Sequence, residues 1–166
     1  MTNPLITMII AYGPDGALGK DGGLPWPHHP EDMRRFREAT MGHPVIMGRR
    51  TYDSLGRALK YRHNIVISSK KTVASDVDTA KNMDEALKIA SHDDDIYIIG
   101  GGRVYRESLI YINRILLTQM HHRFDADTYF KVPFIEDWIE VAREDWSNGD
   151  PTQDCTFIEY RRRPNC

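Results

Sequence analysis

The chain reads as an α/β domain with a mostly parallel central sheet of about eight strands, about four helices on the sheet's two faces, and an antiparallel hairpin at its C-terminal edge. Three observations predict this. Short apolar runs at 5–11, 45–47, 64–68 and 96–99 are strand-length and rich in Ile and Val, as buried strands are. Segments of helical spacing lie between them. Past residue 112 the pattern becomes strand-like throughout, with a turn at Asn148-Gly149 before the last stretch. The 166 residues suffice for one domain, 1–166, with a substantial core.

The run at 5–11 is a buried central strand. A loop rich in Gly, Pro and Asp follows, from 12 to about 29, and Gly13, Gly16, Gly19, Gly22 and Gly23 make it mobile. A structureless loop this long in a compact domain is usually functional, as a lid is. A helix spans 30 to about 40, because Pro30 suits the first helical position and Glu31 and Asp32 follow where the dipole favours acids. Strand 44–47 leads to a helix near 49–56. Strand 64–68 follows, then a short one at 77–80. A helix at 83–91 carries Met83, Ala86, Leu87 and Ala90 at helical spacing. Strand 96–99 runs into a helix ending near 109. Strands at 112–120, 138–144 and 155–161 complete the chain.

The most telling stretch is IIGGGRVY, 98–105. A strand meets three glycines, Gly100, Gly101 and Gly102, and turns into a helix carrying Arg103. Glycine lets the backbone approach a ligand, and the helix start presents unpaired N–H groups and partial positive charge. Such a turn holds phosphate. The second such turn joins 45–47 through Gly48 to Arg49, Arg50 and Thr51. Two of them, each with arginine in the first helical turn, suggest a dinucleotide cradle. The arginines point to the extra phosphate of NADP. A Rossmann frame is excluded, because G-x-G-x-x-G would put its third glycine where Tyr105 stands.

Net charge is −2, so no global field recruits nucleic acid or an anionic membrane. Arg161-Arg162-Arg163 reads as solvated side chains. Two cysteines, Cys155 and Cys166, argue against a disulfide framework and suit a reducing cytosol. No stretch approaches a membrane span, and the N-terminal apolar run is too short for a signal peptide. His28-His29 and His121-His122 are adjacent pairs without ligand spacing, so no metal site is expected.

In the helix at 30–40, Glu31 can pair with Arg35 and Arg34 with Glu38, which makes a solvated side. Asp32 lies instead on the apolar stripe with Met33 and Phe36. From helix position alone it is either a first-turn electrostatic residue or a carboxylate lining a pocket, where its pKa would be raised.

Leu24-Pro25-Trp26, then Pro30, Asp32 and Phe36, then VIMGRRTYDSLG at 45–56, Arg62, Asn64, Ser68-Ser69, IIGGGRVY, Leu117-Thr118 and Asp127-Thr128 follow one another as in dihydrofolate reductases. The resemblance runs from about residue 5 to 160. It implies a dihydrofolate-reductase-like fold and hydride transfer from NADPH to the imine carbon of dihydrofolate's pterin ring, with protonation of the adjacent nitrogen. By that resemblance Asp32, Trp26 and Thr118 are the catalytic group. Asp32 holds the pterin amino group and ring N–H, Thr118 joins carboxylate and pterin, and Trp26 holds water near the acid. Met33, Phe36 and Leu55 look like apolar walls. Ile9 and Ile99 match strand ends whose carbonyls accept from the pterin amino group, with Ala11 and Tyr105 in the same region. Arg62 matches the arginine that forks onto the carboxylate of the glutamate tail, as its planar guanidinium suits.

The resemblance places the cofactor against Gly48, Arg49, Arg50 and Thr51 on one helix start, and against Ile99, Gly101, Gly102, Arg103, Val104 and Tyr105 on the other. Arg49, Ser68, Ser69 and Lys70 would read the 2′-phosphate, and Ala11, Leu18 and Gly19 would border the nicotinamide. Residues 13–27 match a lid, and Asp127 a loop acid that bonds the lid's backbone when closed. The implied partners are dihydrofolate and antifolate-type inhibitors, in a cytoplasmic monomer serving one-carbon metabolism. Three departures stand out: Lys60-Tyr61 where Pro-Gly is frequent, one extra residue in Pro27-His28-His29, and Ala126 where glycine is frequent. The competing readings are a reductase of another heterocycle on the same frame and a non-catalytic dinucleotide-binding domain. The first has less reason to keep Asp32, Phe36, Thr118 and Arg62 together, and the second has no use for Asp32, Trp26 or Arg62.

Overall fold

A computed structural model describes residues 3–70 and 73–164. Its main sheet has eight strands in the order β5-β4-β3-β6-β1-β7-β10-β9. These are β1 (Leu5–Tyr12), β3 (Pro44–Gly48), β4 (His63–Ile67), β5 (Asp78–Ala80), β6 (Asp95–Gly100), β7 (Arg114–Met120), β9 (Ile139–Trp146) and β10 (Cys155–Arg161). All pairings from β5 to β7 are parallel, and β10 runs antiparallel to β7 and to β9. The predicted architecture therefore holds, including the antiparallel C-terminal edge. Charged, exposed residues along β9 (Glu140, Arg143, Glu144, Asp145) and the three-residue length of β5 blunt the two edges against pairing with other chains.

Alternation along the strands separates two large core clusters, beside a smaller one around Trp26, Met120, Cys155 and Phe157. Ile46 of β3 and Ile96 and Ile98 of β6 face one cluster, with α3 (Met83–Ile89) and α4 (Gly102–Ser108) contributing Met83, Ala86, Val104 and Tyr105. Val45, Met47 and Tyr97 face the other, against Ala39 of α1 (Pro30–Thr40) and Tyr52 of α2 (Arg49–Leu55). Helices thus cover both faces, as expected.

The loop from 12 to 29 is not structureless. It contains β2 (Ala17–Gly19), which pairs with β8 (Thr128–Tyr129), and an isolated bridge between Lys20 and Gly23. Strand β2 is too short to read from sequence, and its partner lies more than a hundred residues on. The helix expected at 83–91 ends at Ile89 and continues as a 3₁₀ turn over Ala90–His92.

Arg162 and Arg163 are exposed, as expected, and their guanidiniums also make contacts. Arg162 donates to the Ile112 and Leu109 carbonyls and lies over Trp138, and Arg163 donates to the Asp137 carbonyl. Cys166 lies outside the described residues. Cys155 is a buried free thiol whose pKa burial pushes up to about 12, which makes it inert.

Tyr61, where glycine is frequent in the resembling family, takes φ +62° while exposed, and its carbonyl accepts the Gly42 N–H at 2.9 Å. The turn keeps a left-handed residue without the residue that adopts it cheaply. Tyr61→Gly is expected to raise stability by up to about 1 kcal/mol, read as a higher melting temperature, because relief of the left-handed penalty exceeds the added unfolded-state entropy.

Candidate active site

Strands β3, β4, β6 and β1 end side by side, and their C-terminal ends open into a cleft of about 2340 Å³. Ligand crevices of open α/β sheets lie at this edge. Every site residue expected from sequence lines the cleft except Trp26, which is buried behind it and packs with Ala11, Phe124, Met120 and Phe157.

One half is built from helix starts. Because β3 and β6 are parallel neighbours, Gly48 and Gly100 lie together and launch α2 and α4 in parallel. The N-caps are Gly48 and Gly101, and neither has a side-chain capping bond, so the first-turn N–H groups stay available. Space is tight at Gly48 and ordinary at Gly101. A Cβ on Gly48 would come within 3.1 Å of Val104 Cγ2, and one on Gly101 within 3.5 Å of Thr51 Oγ1. Arg49 pairs with Asp53 and Arg103 with Glu107, each at 3.0 Å and one turn apart on the surface. Exposed pairs of this kind are worth a few tenths of a kcal/mol, so both guanidiniums exchange readily to an anion. Ser68, Ser69 and Lys70 line the same half beyond β4, and the Ser68 hydroxyl accepts the Lys70 N–H.

Gly100 is the strained link. Its φ of +118° suits glycine alone, and a Cβ would meet the Tyr105 ring at 3.1 Å. Gly100→Ala is expected to cost about 1–3 kcal/mol of stability, measured by denaturant unfolding.

The other half is built around Asp32. His29 caps α1: its Nδ1 accepts the Asp32 N–H at 3.2 Å, while Nε2 donates to the Gln153 carbonyl at 2.9 Å. The Asp32 side chain is thereby released from helix-start duty, which decides between the two readings that helix position left open. The carboxylate points to the cleft floor and accepts the Thr118 hydroxyl at 2.7 Å. Burial raises its pKa, opposed first by the Thr118 bond and then by the nearby Arg35 charge. Thr118 reaches it because β7 registers Thr118 against Ala11 of β1. The apolar residues Met33 and Leu55 stand exposed on the cleft walls, and Phe36 is partly buried one turn after Asp32. Trp26 Nε1 is buried and has no hydrogen-bond partner among the described residues.

The Tyr105 hydroxyl lies 2.9 Å from the Ile9 carbonyl and 3.0 Å from that of Ile99, donating to one at a time. Each carbonyl keeps a second lone pair for a ligand. Arg62 is held from behind, with Nε on the Lys60 carbonyl and Nη1 on Thr40 Oγ1. Burial, and Arg37 next, lower its pKa, although a guanidinium stays charged. Over the cleft, the Asp127 carboxylate accepts the Asp21 N–H at 2.8 Å and the Asp127 N–H donates to the Gly19 carbonyl. The glycine-rich loop is thus pinned to the β8 segment in this structure. Sequence reading missed His29, since histidine is an uncommon cap, and it missed the hydroxyl role of Tyr105.

Two paired glycine-capped helix starts facing a half-buried carboxylate, under a pinned loop, define an α/β enzyme built to seat an anionic cofactor against a proton-handling pocket. The chain belongs to the dihydrofolate reductase family, whose model matches residues 5–162. Dihydrofolate reductase type 3 of Salmonella typhimurium is 36% identical over 161 residues, spanning 96% of this chain and 99% of that protein. The Bacillus subtilis dihydrofolate reductase is 32% identical, spanning 96% and 95%. Among solved structures, dihydrofolate reductase from Enterococcus faecalis complexed with NADP(H) and RAB-propyl superposes with a TM-score of 0.88 at 28% identity, covering 96% of this chain and 97% of the other.

Proposed function

We infer that this chain reduces 7,8-dihydrofolate to 5,6,7,8-tetrahydrofolate with NADPH. The observation that carries the reading is the Asp32 carboxylate bonded to Thr118 on the cleft floor, opposite two glycine-capped helix starts. The cradle fits the dinucleotide: Gly48 stands where a side chain would press on Val104, and the first-turn N–H groups of α2 and α4 suit a pyrophosphate. Arg49, Ser68 and Lys70 suit the 2′-phosphate that separates NADPH from NADH. NADPH supplies the hydride when bound.

The protein's own part is positioning and electrostatics. Asp32 orients the pterin through its amino group and ring N–H, and its negative charge raises the proton affinity of the neighbouring imine nitrogen. A raised pKa keeps this carboxylate responsive to protonation, and Thr118 fixes one of its oxygens. Trp26 offers its unpartnered Nε1–H to water beside the acid. Arg62, already braced by Lys60 and Thr40, presents its remaining donors to the glutamate tail. The lid excludes bulk water, which strengthens every charge interaction inside.

This reading places the protein in the cytoplasm as a one-domain monomer. No helix among the described residues is long and apolar enough to cross a membrane. The test is oxidation of NADPH by the purified chain, with and without dihydrofolate. Dihydrofolate-dependent oxidation that is much slower with NADH supports the reading. NADPH binding without dihydrofolate turnover overturns it in favour of another heterocycle or a silent cofactor-binding domain.

A further inference from the structure

The opposite edge of the sheet carries a second cluster of chemistry. We propose that His43, Asp93 and Asp95 form a binding site for one divalent transition-metal ion of the zinc class. Strand β3 starts at Pro44 and its parallel neighbour β6 at Asp95, so the residues that lead into both strands meet at their N-terminal ends. That edge is one strand length, about 15 Å, from the cofactor cleft.

One donor atom from each of the three residues lies within 4.8 Å of the other two. His43 Nδ1 is already 3.2 Å and 3.3 Å from the two Asp93 carboxylate oxygens. Donors about 2.1 Å from a tetrahedral ion stand about 3.4 Å apart, so no separation needs to close by more than about 1.4 Å. The loop is organised for this, because Asp93 Oδ1 accepts the Asp95 N–H at 2.8 Å and the His43 ring packs 5.8 Å from that of Tyr97. All three residues are partly buried, which leaves positions for water on the ion. One imidazole nitrogen and two carboxylates suit zinc, cobalt or nickel better than magnesium or calcium, which favour oxygen alone.

The same edge holds a second imidazole group. His63 Nδ1 lies 2.8 Å from His92 Nε2, and His63 Nε2 lies 2.5 Å from Asp78 Oδ2. His92 precedes Asp93 in the chain, and Asp94 adds a third consecutive acid. The clustered carboxylates draw a cation to this edge, and the His63 group supplies an internal control.

The experiment titrates cobalt(II) chloride into the full untagged chain and follows visible absorption, with zinc as competitor. One equivalent is expected to saturate, and zinc to bleach the bands. His43→Gln and Asp95→Asn are expected to weaken binding by about tenfold or more, while both keep NADPH-dependent turnover as proof of folding. His63→Gln is expected to bind as the parent does. The proposal is overturned by absence of saturable binding, by unchanged affinity in both His43→Gln and Asp95→Asn, or by loss of binding in His63→Gln alone, which would put the ion on the His63–His92 pair.

Discussion

Asp32→Asn is expected to cut dihydrofolate turnover at neutral pH by about 10²–10⁴-fold, the range that positioned proton-transfer groups contribute. Asparagine keeps the size of the side chain and can still accept from Thr118, so the loss isolates the charge. Affinity for NADPH should be retained, since the cradle is built from Gly48, Gly101 and their helices on other elements. Residual turnover should recover as pH falls, because protonation of the substrate then depends on solution acid. Stability should move the other way. Burial raises the Asp32 pKa, so above the ordinary carboxylate range the native state holds this proton more than the unfolded chain does. The parent therefore loses stability as pH rises through that window, while the asparagine variant does not. Its melting temperature should gain on the parent's from acid to neutral pH. Equal loss of NADPH binding and turnover would refute the role given to Asp32.

Arg62→Lys is expected to raise KM for dihydrofolate by about 10–100-fold, the worth of a charge-assisted hydrogen bond lost from a bidentate pair. Lysine keeps the charge but has no planar fork. It also gives up the two contacts, to the Lys60 carbonyl and Thr40 Oγ1, that hold the guanidinium in place. The deciding comparison is a pterin substrate without the glutamate tail. The parent and Arg62→Lys should reduce it equally well, and KM for NADPH should not change. A matching defect on the tailless substrate would assign Arg62 to the architecture of the loop and remove it from substrate binding.

Much of this was legible in the chain. The Pro30 start of α1, the two glycine turns and the apolar strands are local signals, and each element formed within a few residues of its expected bounds. The lid loop shows where local signals stop. Its glycines announced a long loop, but β2 forms only because β8 arrives beside it. Tyr61 shows the same limit, since its left-handed backbone follows from the turn it closes rather than from its own preference.

The sequence by itself determined the α/β class, the order of its longer elements and the two glycine-opened helix starts, because periodicity, capping and glycine chemistry act between near neighbours. Only the tertiary structure decided what converges. Asp32 and Thr118 meet across 86 residues, and Asp21 and Asp127 across 106. Whether Asp32 served the helix or the cleft was settled by His29, which took the capping bond and freed the carboxylate. His43 and Asp93, 50 residues apart, meet because two strands are parallel neighbours. Such meetings depend on strand order and register, which are set by the burial of the whole core and are carried by no single stretch of chain.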